Sequence, residues 1–66
     1  MRLTVNGETR EAPDQATLAD LLALLGIEGR RVAVEHNREI APRSMWGQTR
    51  LAEGDQVEIV QFVGGG

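Results

Sequence analysis

The segment TLADLLALLG, residues 17–26, decides the fold of this chain. Four of its leucines follow the i, i+3, i+4, i+7 spacing that places side chains on one face of a helix, namely Leu18, Leu21, Leu22 and Leu25. Thr17, three residues before Asp20, is typical of a helix-capping box, and Gly26 is typical of the residue at which a helix ends. The sequence therefore predicts one amphipathic helix whose leucine face needs an apolar partner.

Strand patterns lie on both sides of this helix. Before it, apolar and polar residues alternate around Asn6-Gly7, the dipeptide preferred in a two-residue hairpin turn. After it, RRVAVEH (residues 30–36) alternates, a short REI (residues 38–40) follows, and QVEIVQFV (residues 56–63) comes after a turn at Gly54-Asp55. The order of elements is therefore strand, strand, helix, strand, strand. The last of these strands lies at the C-terminal end.

Two hairpins and one helix in so short a chain bury the leucine face only if the strands form a single sheet. We therefore predict an α+β fold of the ubiquitin-like β-grasp type, a mixed β-sheet with one main helix on one face. Because the helix separates the two halves of the sheet, the first and last strands are expected to be parallel neighbours. We assign residues 1–63 to the β-grasp domain and residues 64–66 to a flexible C-terminal glycine tail.

The apolar positions of these elements define a predicted core: Leu3, Val5, Leu18, Leu21, Leu22, Leu25, Ile27, Val32, Val34, Ile40, Leu51, Val57 and Ile59. In the last strand, inward Val57 and Ile59 would leave Val60 and Phe62 on the solvent face by the two-residue period of a strand. Exposed apolar side chains of this kind mark partner surfaces. The alternative is that the strand bends and Phe62 covers the end of the core. Both interpretations stay open on the sequence alone.

The segment PRSMWGQT, residues 42–49, is interrupted by Pro42 and Gly47, and we expect it to be irregular. We predict that Trp46 anchors this segment to the sheet, because aromatic rings supply much of the burial in a small domain. His36 has no second candidate ligand nearby, so we expect it to be solvent-exposed or hydrogen-bonded to a loop rather than to bind metal. Asp55 and other acidic residues of the turns are expected to be solvating groups.

Composition excludes several function classes. With 66 residues there is room for one domain, and the absence of Cys excludes disulfides, a cysteine nucleophile and an iron–sulfur cluster. A net charge of −3 argues against nucleic-acid binding and favours a basic protein partner. All seven cationic residues are Arg, so the chain offers no lysine for isopeptide bonds. We expect no signal peptide, no membrane partner and a cytoplasmic location.

Three segments together resemble the sulfur carriers of thiamine thiazole biosynthesis, the ThiS family: NGE at residues 6–8, VAVEHNREIAPRSMW at residues 32–46 and LAEGDQVEIVQFVGGG at residues 51–66. The likeness covers the whole chain. A glycine tail on a β-grasp domain also occurs in the small subunit of molybdopterin synthase and in ubiquitin-like modifiers. The middle segment, with Asn37, Glu39-Ile40, Pro42-Arg43 and Trp46, is what favours the thiazole carriers.

The resemblance implies a sulfur carrier that is a protein co-substrate rather than an enzyme. A ThiF-type adenylyltransferase would adenylate the carboxylate of Gly66, and sulfur from a persulfide-forming enzyme would convert it to a thiocarboxylate, or thioglycine. A ThiG-type thiazole synthase would receive the sulfur. Gly64 and Gly65 would supply a narrow, freely bending approach to the partner's active site, with Val60 and Phe62 as docking residues.

The same resemblance implies that the chain itself binds no cofactor and no metal, since ATP is used by the activating partner. The glycines have no following helix or Lys that would make a phosphate-binding loop. Three alternatives stay open: a carrier for another pathway of the molybdopterin type, a ubiquitin-like protein modifier, and a plain β-grasp binding module whose glycines are inert.

Overall fold

The structure, a computed structural model, describes residues 1–27 and 31–62. These residues form a mixed five-stranded sheet with the order β2-β1-β5-β3-β4 and an α-helix packed on it, so the predicted α+β β-grasp fold is confirmed. The elements are β1 (Arg2–Val5), β2 (Glu8–Glu11), α1 (Leu18–Leu24), β3 (Val32–His36), β4 (Glu39–Ile40), a 3₁₀ helix (Arg43–Gln48) and β5 (Gln56–Gln61). As predicted, β1 and β5 are parallel neighbours, with Val5 paired to Val57. The proposed boundary between domain and tail lies outside the described residues.

The helix has the predicted caps at both ends. The Thr17 hydroxyl accepts a hydrogen bond from the Asp20 N–H at 3.2 Å, and the Asp20 carboxylate accepts one from the Thr17 N–H at 3.0 Å. These bonds satisfy backbone donors that a helix N-terminus leaves without partners. At the other end Leu25 is the C-cap and Gly26 has a φ of +72°, a left-handed conformation that glycine adopts without strain. The sequence signals therefore set both limits of α1.

Each antiparallel hairpin closes through a two-residue turn. Asn6 and Gly7 have φ values of 50° and 82°, and Asn37 and Arg38 have 51° and 70°. Positive φ at both central residues is the geometry that matches the twist of paired strands. The first turn was predicted from its Asn-Gly dipeptide, whereas the second carries Arg at the position where glycine is preferred.

Most of the predicted core is buried, and four further residues join it. The buried set is Leu3, Val5, Ala12, Ala16, Leu18, Leu21, Leu22, Val34, Ala41, Trp46, Leu51, Val57 and Ile59, with Leu25, Ile27 and Val32 partly buried against it. Ala12, Ala16, Ala41 and Trp46 were not in the predicted core, because small residues and a single aromatic in loops carry no periodic signal.

The prediction that Ile40 belongs to the core is wrong. The two-residue turn of the second hairpin pairs His36 with Glu39 and Glu35 with Ile40. Directly opposed residues share a face of the sheet, so Ile40 lies with Glu35 on the face away from α1 and is 69% exposed. Ala41 is buried in its place, and its N–H donates to the Val34 carbonyl at 2.8 Å.

The expectation of irregular structure after Pro42 is also wrong, because Arg43–Gln48 forms a 3₁₀ helix. Pro42, with a φ of −60°, immediately precedes the helix, a position where its fixed backbone is tolerated. Trp46 is buried, and its indole N–H donates to the Ala41 carbonyl at 2.8 Å. Burial of Trp46 confirms that it anchors this segment, but the main packing of the segment is against α1 and not, as predicted, against the sheet.

Candidate functional site

The C-terminal end of β5 carries the apolar residues that the sequence singled out. Val57 and Ile59 are buried, while Val60 and Phe62 are 57% and 59% exposed. The Phe62 N–H donates to the Arg31 carbonyl at 2.7 Å, so the backbone is still paired at the last described residue. Of the two alternatives for Phe62, exposure is therefore confirmed and coverage of the core is wrong. The docking role of Val60 and Phe62 stays a prediction.

Further side chains lie on the same side of the sheet as Val60. Antiparallel pairing places Ala33 opposite Val60 and Glu35 opposite Glu58, and Ile40 lies beside Glu35 on β4. We call this surface the outer face and define it by Ala33, Glu35, Ile40, Glu58, Val60 and Phe62. It combines three exposed apolar side chains with two carboxylates.

The opposed carboxylates give the outer face its electrostatic character. Glu35 and Glu58 are directly opposite each other, an arrangement that weakens a sheet through like-charge repulsion. Within residues 1–27 and 31–62, neither carboxylate has an ion pair. A cationic group of a partner placed between them would relieve the repulsion. The outer face is therefore suited to an apolar surface that carries positive charge.

The two-residue period of the last strand predicts that Glu58, Val60 and Phe62 all point outward, but sequence reasoning missed Ile40 and Glu35 on the same face. The signal was present, because a two-residue turn at Asn37-Arg38 requires Ile40 to pair with Glu35. The prediction that Ile40 belongs to the core followed its hydrophobicity and not this register. Gly64, Gly65 and Gly66, the predicted threading and reactive residues, lie outside the described residues.

A network of polar side chains holds the opposite end of β5, and we call it the Asp55 cluster: His36, Asn37, Asp55 and Gln56. The Asp55 carboxylate bonds to His36 Nε2 at 2.7 Å and accepts from Asn37 Nδ2 at 3.2 Å and the Ala52 N–H at 2.9 Å. Asn37 Oδ1 also accepts from the Gln56 N–H at 2.9 Å. Burial raises the pKa of Asp55, but hydrogen bonds from His36, Ala52 and Asn37 outweigh it and leave the pKa below its ordinary 3.8.

This network settles two expectations from the sequence. His36 is hydrogen-bonded to a loop residue, as expected. The interpretation of Asp55 as a solvating group is wrong, because its carboxylate joins the turn before β5 to the β3–β4 hairpin. Over the described part of the chain, no group of three His, Cys, Asp or Glu side chains is arranged to hold a metal ion.

The described residues include no helix with the length and apolarity needed to cross a bilayer.

Comparisons with known proteins agree with this geometry. A model described as the ThiS family matches residues 3–66. The Bacillus subtilis sulfur carrier protein ThiS is 40% identical over 65 residues, which cover 97% of this chain and 98% of that protein. A crystal structure of the thiamine biosynthesis protein ThiS from Geobacter metallireducens superposes with a TM-score of 0.86 at 35% identity and covers both chains completely.

Two further relatives are much longer than this chain. Thiazole synthases of Paramagnetospirillum magneticum and Magnetococcus marinus are 47% and 42% identical over 66 residues. The chain spans about a fifth of the length of these two proteins, since the match covers 20% of each. The family model, the full-length carrier match and the shared fold all converge, and the chain belongs to the ThiS family.

Proposed function

We propose that this ThiS-family chain is a sulfur carrier of thiamine thiazole biosynthesis and acts as a protein co-substrate rather than as an enzyme. The sulfur is carried on the C-terminal carboxyl group of Gly66. The observation that carries the proposal is the outer face, whose exposed Val60, near the end of β5, and Phe62, directly after β5, precede Gly64–Gly66 in the sequence. A carrier needs both a surface that a partner can bind and a terminus that the partner can modify.

The chemistry begins with activation of a carboxylate that is unreactive by itself. A ThiF-type adenylyltransferase joins the Gly66 carboxylate to the α-phosphate of ATP and releases pyrophosphate. A persulfide on the sulfur-donating enzyme then attacks the acyl carbon and displaces AMP. A second thiol cleaves the resulting S–S bond, which leaves a thiocarboxylate on Gly66 and a disulfide on the donor side. Gly66 has no side chain to hinder the attack of the persulfide on its carbonyl carbon.

The glycines suit this chemistry because the terminus has to enter a partner's active site. Three extended residues span roughly 10 Å, at about 3.3–3.6 Å each. Ordering them costs roughly 1–2 kcal/mol of backbone entropy per residue, which docking has to offset. Burial of the exposed apolar side chains of the outer face supplies the offset, and positive charge near Glu35 and Glu58 adds to it. ATP and its metal ion bind to the partner, and this chain binds no cofactor.

We assign the acceptor of the sulfur as a ThiG-type thiazole synthase. The two relatives named thiazole synthase support the assignment, because each includes a region similar to this whole chain. In those proteins a carrier-like region and the remaining sequence belong to one polypeptide. A molybdopterin-type carrier and a ubiquitin-like modifier are the alternatives, and a modifier would be seen as isopeptide adducts on other proteins.

Intact mass spectrometry tests the proposal. The chain is incubated with a ThiF-type enzyme, ATP and a persulfide source, then treated with a thiol-alkylating reagent. We expect a mass increase that corresponds to replacement of one oxygen by sulfur, with alkylation mapped to Gly66. The sequence has no Cys, so alkylation of a side-chain thiol cannot imitate this result.

A variant that lacks Gly66 is the control, and we expect it to keep the circular dichroism spectrum of the parent chain while conversion is lost. A chain that stays unmodified under conditions that convert a known carrier would contradict the proposal. Transfer of the sulfur from Gly66 to thiazole synthase, and not to molybdopterin synthase, would identify the acceptor.

A further inference from the structure

The first hairpin turn reaches across to β5 through a side chain. β1 ends at Val5, whereas β5 continues past its pairing with Val5 to Gln61. At the junction the Asn6 N–H donates to the Val57 carbonyl at 2.9 Å. The chain then turns away at Gly7, so β1 supplies no further backbone partner to β5.

The amide of Asn6 takes over where β1 stops. Its Oδ1 accepts from the Ile59 N–H at 2.7 Å, and its Nδ2 donates to the Ile59 carbonyl at 3.2 Å. A side-chain amide carries the same donor and acceptor as a peptide group. The side chain of Asn6 therefore adds one more rung to the pairing of β1 with β5, at a residue directly before Val60.

A preference of the turn for Asn does not account for these bonds. Asn37 occupies the equivalent position of the second turn with nearly the same φ, 51° against 50°. Its amide also binds β5, but at the first residue of the strand, where Oδ1 accepts from the Gln56 N–H. The two turn asparagines thus hold opposite ends of one strand, and only Asn6 holds the end that leads to the glycines.

We propose that Asn6 is a positioning residue, whose amide holds Ile59 in the sheet and so fixes where Val60 and Phe62 are presented on the outer face. The proposal rests on the proposed function, since its consequence is for docking with the activating enzyme. Without the amide, the end of β5 opens more often, and Val60 and Phe62 have to be ordered when the partner binds. Docking weakens, while the adenylation step after docking is unchanged.

The test uses two matched variants, Asn6→Gly and Asn37→Gly. Glycine keeps the positive φ of either turn without strain, so each variant removes the side-chain hydrogen bonds of one Asn and adds the same entropy cost of glycine. Backbone amide hydrogen exchange, followed by NMR, reports opening at each end of β5. Steady-state pyrophosphate release with a ThiF-type enzyme, ATP and a persulfide source that discharges the adenylate gives KM for the carrier and kcat separately.

For Asn6→Gly we expect faster exchange at Ile59 and Val60 and a KM raised roughly three- to tenfold with kcat retained, the loss typical of one or two hydrogen bonds. For Asn37→Gly we expect faster exchange at Gln56 and a KM within about twofold of the parent chain, even where the loss of stability is similar. Equal KM changes in both variants would overturn the proposal, and so would unchanged exchange at Ile59 and Val60 in Asn6→Gly.

A second variant covers the case in which Asn6→Gly does not fold. Asn6→Asp keeps the acceptor for the Ile59 N–H and loses the donor to the Ile59 carbonyl, so exchange and KM should fall between those of the parent chain and a full loss. Values equal to the parent in both measurements would count against the role of the amide. If the parent chain itself is not adenylated, the proposed function fails, whereas the exchange measurement still decides whether Asn6 holds β5.

Discussion

The start of β5 is held by the Asp55 cluster, whereas its C-terminal end leads into the exposed Val60 and Phe62 of the outer face. The first end joins two loops through four hydrogen bonds of 2.7–3.2 Å and leaves Asp55 little exposed. Among the described residues, the second end is bonded by the side-chain amide of Asn6 and carries two apolar side chains exposed to solvent. Within this six-residue strand, the first end therefore contributes to stability, whereas the second end presents side chains to solvent.

The largest effect on stability is expected at the Asp55 cluster. Asp55→Ala removes an acceptor shared by three donors, and we expect the free energy of unfolding to fall by about 2–3 kcal/mol. Asp14→Ala is the matched control, because the Asp14 side chain is 90% exposed and forms a surface ion pair with the N-terminal amine, so it should cost at most about 0.5 kcal/mol. Urea unfolding followed by circular dichroism measures both. Equal losses would show that the first end of β5 is not the stabilising one.

Substitutions in the two hairpin turns are expected to change the free energy of unfolding in opposite directions. Gly7 has a φ of +82° and open space around the position of a Cβ atom, so Gly7→Ala adds only backbone strain and should destabilise by about 1–2 kcal/mol. Arg38 already bears that strain at a φ of +70°, so Arg38→Gly should stabilise by about 0.5–1 kcal/mol after the entropy of glycine is subtracted. The same unfolding measurement applies, and two changes of the same sign would contradict the strain argument.

The Asp55 cluster also predicts a smaller, pH-dependent part of the stability. The pKa of Asp55 is lowered in the folded chain, mainly because its hydrogen bonds outweigh the effect of burial. Such a group contributes its full stabilisation above its unfolded pKa, and the contribution is lost as the pH falls through the lower folded value. Unfolding free energies of the parent chain and Asp55→Asn should therefore converge as the pH falls below about 4. A difference that stays constant with pH would contradict the assignment.

The smallest change in stability is expected at the other end of β5. Phe62→Ala should alter the free energy of unfolding by at most about 0.5 kcal/mol, as is usual for an exposed side chain. It should nevertheless raise KM in the adenylation assay, because Phe62 belongs to the outer face. Leu24→Ala on α1 is the matched control, since Leu24 is also 59% exposed but lies outside the outer face. A KM that rises equally in both variants would contradict the docking role of the outer face.

Much of the fold could be predicted from short-range signals in the sequence. The capping pair Thr17 and Asp20, the leucine spacing and the Asn6-Gly7 turn all act within a few residues, and all are confirmed. The parallel pairing of β1 and β5 followed from topology, because a helix separates the two halves of the sheet. Local chemistry and chain connectivity were sufficient for these features.

The errors have a different physical origin. Ile40 is apolar and in a strand, but strand register rather than hydrophobicity decides its face, and an Asn-Arg turn gives a weak signal for register. Asp55 is an ordinary turn residue by sequence, and its partners His36 and Asn37 lie 19 and 18 residues away. Within the candidate site, Val60 and Phe62 were predictable from the two-residue period, whereas the opposed Glu35 and Glu58 required the pairing of β3 with β5.

The buried indole of Trp46 has a practical consequence. The sequence contains one Trp and no Tyr, so nearly all intrinsic fluorescence comes from a single ring. That ring lies in the 3₁₀ helix against α1, away from the outer face. Its emission is therefore a built-in optical signal of unfolding that leaves the C-terminal carboxyl group chemically untouched. The loading of sulfur and the integrity of the fold can be followed in the same tube, one by mass and the other by light.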